Sequence, residues 1–206
     1  SLTYTINNSI FYGDEDNDAN EPDGLHDILQ SNTAQRLERG TGGAGQALRI
    51  QDIDNILRRI KGGDPTAIFM TRVMRDSLKR YWDALGSSVS TVEAFGKQVM
   101  AYRSIPILGT EFLSSTEAVS GTSFSAKTGG LTSSVFAVRF GPDGVHCIAT
   151  RDMASEAGWR MDTFLTLESQ DMVRVRLVWY VNPTILKSPL SIAGITGILE
   201  SAAITA

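Results

Sequence analysis

The sequence predicts an α+β protein, with helices early in the chain and antiparallel strands late. Two observations carry that reading. Between Ile50 and Gly86 apolar residues recur at spacings of three and four, interrupted by one short apolar run, as amphipathic helices flanking a strand require. Beyond Gly86 the period changes to alternation and short extended runs, punctuated by Gly, Pro, Ser and Thr. Composition agrees: of 206 residues, 42% are hydrophobic and 20% charged, enough chain to enclose a core.

The first conspicuous stretch is "YGDEDNDANEPDG", Tyr12 to Gly24, crowded with carboxylates. A calcium loop of the EF-hand kind needs oxygen ligands at positions one, three, five and twelve and glycine at six. Starting at Asp14 puts Asp16 and Asp18 in place, but Ala19 falls at six and Leu25 at twelve. Starting at Asp16 brings Asp27 to twelve and Glu21 to the glycine position. Both registers fail, and the stretch reads as a polar surface loop with no metal.

"TAQRLER", Thr33 to Arg39, is charged and helical in character, and "GTGGAG", Gly40 to Gly45, follows it. A phosphate loop would end in Gly-Lys-Ser/Thr, and a dinucleotide fingerprint would follow a hydrophobic strand. Neither context is present, so this is a glycine-rich connection. "IQDIDNILRRIK" then places Ile50, Ile53, Leu57 and Ile60 on one helical face, stopped at Gly62-Gly63. "TAIFMT" is a short buried strand leading into a helix through "RVMRDSLKRYWDALG". Val73, Leu78, Tyr81, Trp82 and Leu85 are its packing side, Asp76 and Arg80 an i,i+4 pair, and Gly86 its terminator.

"EAFGKQVMAYRSIPILGTEFL" reads as extended segments broken by Pro106 and Gly109, and Ser114 to Ser134 as a long exposed loop. "SVFAVRFGPDGVHCIAT" is a hairpin turning at Gly141-Pro142-Asp143-Gly144. "VRVRLVWYV" alternates, with Val173, Val175, Leu177, Trp179 and Val181 on one face and Arg174 and Arg176 on the other. "NPTILKSPLSIAGI" reads as an irregular apolar tail.

Catalysis finds little support. The two histidines are His26 and His146, and His146 precedes Cys147 in a strand, where neighbours face opposite ways. The lone Cys147 reads as a small buried hydrophobe, and it excludes an intrachain disulfide. A net charge of -4 and pI near 5.2 argue against a free nucleic-acid binder. No stretch reaches the length of a membrane helix, and no secretory leader is visible. The sequence opens on Ser1, as expected of a processed or partial chain.

Taken together, several of these pieces resemble the major capsid proteins of tailed bacteriophages, which share the Hong Kong 97-type shell fold. "SIFYGDEDNDANEPDGL" is similar to that family's junction, where an aromatic-Tyr-Gly ends a spine helix and an acidic loop runs to Gly24-Leu25. "AIFMTRVMRDSL" resembles its strand–helix step. "AFGKQVMAYRSIPIL" resembles its Tyr-x-Gly-Ile-Pro-Ile strand through Tyr102, Ile105, Pro106 and Ile107, with Ser104 where Gly is common. "SVFAVRFGPDGVHCI" and "VRVRLVWYVNPTIL" are similar to the closing strand units, and Asn182-Pro183 is similar to encapsulin shells.

The resemblance implies an α+β, Hong Kong 97-like fold comprising an axial domain and the C-terminal part of a peripheral domain. Residues 1–24 would be the end of the spine helix and the acidic loop, 25–150 the axial domain, and 151–206 peripheral strands and tail. The N-terminal arm, the extended loop and most of the spine helix are not among the 206 residues. The implied function is non-enzymatic: a subunit of an icosahedral phage or prophage head, assembling with its own copies into pentamers and hexamers. Scaffolding or portal proteins would be further partners. Such a shell encloses double-stranded DNA without sequence-specific binding, needs no cofactor, touches no membrane, and forms in host cytoplasm before residing in the virion. Candidate subunit contacts are Ser114, Glu117, Phe124 and Lys127 on the long loop and Arg174 and Arg176 on the late strand. Three alternatives stand beside it: an encapsulin-type compartment shell of the same fold, a head–tail joining protein, and an α+β hydrolase using Asp14, Asp16 or His26.

Overall fold

The structure is a computed structural model that describes residues 2–16, 18, 21–40, 45–86, 90–94, 96–118, 130–149, 159–164, 174–179, 181–186, 189–200 and 204. In chain order the elements are α1 (Leu2–Tyr12), α2 (Leu25–Ser31), β1 (Arg36–Glu38), α3 (Ile50–Arg59), β2 (Ala67–Thr71) and α4 (Arg72–Ala84). They continue with β3 (Thr91–Ala94), β4 (Lys97–Tyr102), β5 (Ile105–Thr110), β6 (Thr132–Val138) and β7 (Val145–Ala149). The last are β8 (Trp159–Phe164), β9 (Arg174–Trp179), β10 (Val181–Leu186) and β11 (Ile192–Leu199).

A seven-stranded sheet in the order β1-β11-β6-β2-β5-β4-β3 organises the molecule. It is mixed: β1 runs parallel to β11 and β2 parallel to β5, while the other neighbours are antiparallel. Side chains alternate across it. Ile68, Met70, Val135, Ala137, Ala193 and Ile195 face one core with Ile53 and Ile56 of α3 and Met74 and Leu78 of α4. Phe136, Val138 and Ile192 face a second core with Phe11 of α1 and Leu25 and Leu29 of α2. The period of two along each strand thus feeds two helical layers. All seven residues of β6 are buried, as a central strand covered on both faces must be.

The strand–helix step is as expected, with Thr71 Oγ1 accepting from Met74 N–H at 3.3 Å to cap α4. Gly86 at φ +68° follows the helix, as a left-handed terminator should. α3 ends at Arg59, and Gly62 and Gly63 both take positive φ. Some details differ. Val73 and Leu85 are 52% and 61% exposed, and Met74 takes the place of Val73 toward the core. Asp76 pairs with Arg75 at 3.0 Å and not with Arg80. Ile56, not Ile50 or Leu57, is the fully buried partner of Ile53.

Larger corrections concern strands. Of residues 33–39 only Thr33–Gln35 are helical, as a 3-10 turn leading into β1, whose three residues are a short, charged edge suited to an exposed sheet margin. The expected hairpin is divided. Its turn forms, with Gly144 N–H donating to Gly141 O at 2.9 Å, but β7 pairs with β10 while β6 pairs with β2 and β11. The irregular tail is ordered as β10 and β11, and β11 is a buried strand inside the main sheet. The long loop is shorter than expected, because Thr132, Ser133 and Ser134 begin β6. Cys147 is exposed, since β7 belongs to a two-stranded sheet and is not covered as the main strands are. Most of the glycine-rich connection, residues 41–44, lies outside the described residues.

Candidate functional site

The candidate contact residues fall into three groups. Ser114 sits just beyond β5, half-buried, its N–H donating to the Tyr12 hydroxyl oxygen at 2.7 Å. Arg174 and Arg176 lie on β9, paired across the ladder with Phe164 and Asp162 of β8. Phe124 and Lys127 lie outside the described residues.

Glu117 does not face outward as a loop residue would. It is 3% exposed and bonded as a bridge to the start of β6: Glu117 N–H donates to Thr132 O at 2.9 Å, and Thr132 Oγ1–H to Glu117 O at 2.7 Å. Its carboxylate meets side chains of three elements. Tyr12 of α1 and Ser134 of β6 each give a short hydroxyl bond, and His26 Nε2 of α2 lies 3.2 Å away. Tyr12 stacks on His26, ring centroids 4.5 Å apart, and Phe136 meets the imidazole edge-on at 5.0 Å. Burial first, and then the neighbouring Glu117 charge, push the Tyr12 phenol well above its usual range.

This cluster brings together a Ser, a His and a Glu, yet it has no room for a substrate. His26 and Ser134 are 1% and 0% exposed, so no reacting group can reach them. The sequence could not have found it, because its members are spread from Tyr12 to Ser134 and only Glu117 and His26 stand out as chemistry. Asp14 and Asp16 stay on the acidic loop, remote in role from His26. Asp14 O accepts from Asp18 N–H at 3.0 Å, and Asp23 Oδ1 accepts from Glu15 N–H at 3.1 Å, so the loop folds on its own backbone. Asp27 at its foot has its carboxyl raised by burial and by Asp23, Asp14 and Asp16. Among the described residues no group of three or more His, Cys, Asp or Glu is placed to hold a metal.

An apolar surface lies beside α1. A cavity of about 290 Å³ opens between Ile10 and Phe11 of that helix and Phe69, Phe112, Val138 and Phe140. Aromatic rings lead outward from the core: Phe136 to Phe11 at 6.0 Å, Phe11 to Phe69 at 6.1 Å, and Phe69 to Phe140 at 6.0 Å. Phe140 is 45% exposed and Tyr4, which packs on Phe112, is 59% exposed. Two of these three contacts are edge-to-face and the third is tilted, and the rings together carry much apolar area.

No family model and no curated protein matches the sequence. Among solved structures, the chain is similar to that of the holo-SrpI encapsulin complex from Synechococcus elongatus PCC 7942, with a TM-score of 0.62 at 14% sequence identity. The similarity covers 82% of this chain and 54% of the encapsulin chain, so the chain spans about half the length of that protein. The fold is therefore α+β of the Hong Kong 97 type, as the sequence resemblance implied.

Proposed function

We propose that this chain is part of a non-enzymatic shell subunit that self-assembles into a closed protein container, of the encapsulin compartment kind. The observation that carries the reading is the likeness of its fold to an encapsulin over 82% of the chain. The enclosed His26–Glu117–Ser134 cluster, with no path for a substrate, supports a structural role over a hydrolase. Subunits of such containers meet through heterologous contacts that close into rings. Each contact is modest, and their sum over many neighbours stabilises the whole. In this reading residues 25–150 form the axial domain, and 1–24 and 151–206 the peripheral one, from which β11 reaches into the main sheet. Ser114, Phe124, Lys127, Arg174 and Arg176 remain the proposed contacts between copies.

A phage or prophage head is the second reading, favoured by the "FYGD" to Gly24-Leu25 junction. Under it the container encloses double-stranded DNA, works with scaffolding or portal proteins, and ends in the virion.

Negative-stain electron microscopy and mass photometry of the full-length gene product test the proposal. Closed icosahedral particles, or pentamers and hexamers, are expected. Protein cargo inside marks a compartment, and packaged DNA a phage head. A monomer that stays single at high concentration overturns both.

A further inference from the structure

Several stretches of chain line the cavity beside α1: Ile10 from that helix, Phe69 from β2, Phe112 beyond β5, and Val138 and Phe140 from the end of β6 and the turn after it. Its volume is about 290 Å³, against roughly 150 Å³ for an engineered apolar cavity that takes up benzene. Two fused rings fit such a space. Phe140, 45% exposed, stands where the recess meets solvent, so a ligand can enter without the fold opening. None of the lining residues is charged, and two are polar: Asn7 of α1 and Thr110 at the end of β5.

Asn7 is the informative residue. With Ile10 and Phe11 it falls at spacings of three and four on one face of α1, where an apolar side chain would extend the stripe. Its side-chain amide meets no hydrogen-bonding partner among the described residues. Thr110 Oγ1 accepts from Phe112 N–H at 3.2 Å and keeps its own O–H to donate. A purely apolar cover over this face would bury the amide unpaired, which is costly. A charged occupant would give up its hydration to a lining that offers no opposite charge. An uncharged ring carrying one hydrogen-bonding group meets both conditions. We propose that the recess beside α1 is a binding site for a small, uncharged one- or two-ring compound whose hydroxyl or carbonyl group hydrogen-bonds to Asn7. The inference goes beyond the container reading and does not rest on it, because every lining residue belongs to one chain.

Titration calorimetry of the whole chain near neutral pH tests it with three probes: naphthalene, its hydroxyl derivative naphthol and its carboxylate naphthoate. Naphthol should bind at a single site per chain, naphthalene about fivefold more weakly, and naphthoate at least about tenfold more weakly. Asn7→Leu should bring naphthalene level with naphthol. Ile10→Trp, which fills the recess, should abolish the binding of both. If Ile10→Trp does not fold, nuclear Overhauser contacts from the naphthol ring to the methyl groups of Ile10, Val138 and Val145 locate the probe instead, and their absence counts against the site. The proposal is overturned by the lack of saturable binding, by a naphthol preference retained in Asn7→Leu, by undiminished binding to folded Ile10→Trp, or by naphthoate binding as tightly as naphthol. Binding that weakens as protein concentration rises would mean that a second copy covers the recess, and would overturn it equally.

Discussion

Gly24 donates its backbone N–H to Gly13 O at 2.9 Å, so the carboxylate-rich loop is pinched shut at its foot by two glycines. Neither position has positive φ. What they need is space. A Cβ on Gly13 would stand 1.9 Å from Pro22 O, and one on Gly24 would stand 2.6 Å from Gly13 N. The compact loop with adjoining ends follows from that closeness.

Gly24→Ala should therefore destabilise the fold by about 2–3 kcal/mol, because backbone atoms, not a mobile side chain, must move. Gly96→Ala is the control: its φ is +70° but nothing lies within 4 Å, so it should cost only about 1 kcal/mol. Urea unfolding of the two variants gives the comparison. Equal losses would mean that the close approach does not matter.

The β4–β5 turn supplies a second case. Arg103 and Ser104 have φ of +51° and +66°, a pair of left-handed residues where glycine or asparagine is usual. Arg103 has compensation, through Asp54 at 3.0 Å and its position over the Tyr102 ring. Ser104 has none of this kind. Ser104→Gly should stabilise by about 0.5–1 kcal/mol, read as a raised thermal midpoint.

Asp27 carries a carboxyl raised by burial and then by Asp23, Asp14 and Asp16. A carboxyl raised in the folded state favours folding most below the unfolded pKa, and that benefit is lost as pH rises through the folded value. Asp27→Asn should thus raise the thermal midpoint at neutral pH, and the gain should vanish in acid. A gain that grows on acidification would contradict the repulsion.

Tyr12 gives a matching test in alkali. Its phenol is raised by burial and by Glu117, so below about pH 10 both folded and unfolded chains keep the proton. Above that only the unfolded chain releases it, and stability should fall by about 1.4 kcal/mol per pH unit from this group. Tyr102, raised chiefly by burial and by its bond to Asp54 at 2.8 Å, adds to the slope. Tyr12→Phe should remove its own share, measured as a shallower decline of midpoint with pH.

What the sequence disclosed, and what it withheld, divides along physical lines. The α3 helix and the β2–α4 step were readable, because their period and the Gly86 terminator are local. The turn at Gly141-Pro142-Asp143-Gly144 was readable too, but not that its flanking strands part. β6 is apolar or small at every position because it is covered on both faces, and that demands distant partners on both edges. β11 was obscure for a related reason: "IAGITGIL" alternates poorly, since both its faces are buried. Glu117 was hidden most completely. A glutamate amid Ser and Thr looks solvated until Tyr12, His26 and Ser134 are seen around it. The exposed Val73 and Leu85 show the converse, apolar periodicity running past the surface that is covered.

The place of β11 between β1 and β6 has a consequence for how the protein is made. Arg36 must find Gly194, and Phe136 must find the same residue from the other side. Until the ribosome has delivered residues 192–199, β1 has no neighbour and one margin of β6 stands bare. The sheet therefore closes only after most of these residues have been synthesised, with the slow, long-range pairing that such topologies entail. Under the proposed shell reading, a nascent chain beside its siblings on one message would be a poor partner for them, and copies would meet as finished bodies.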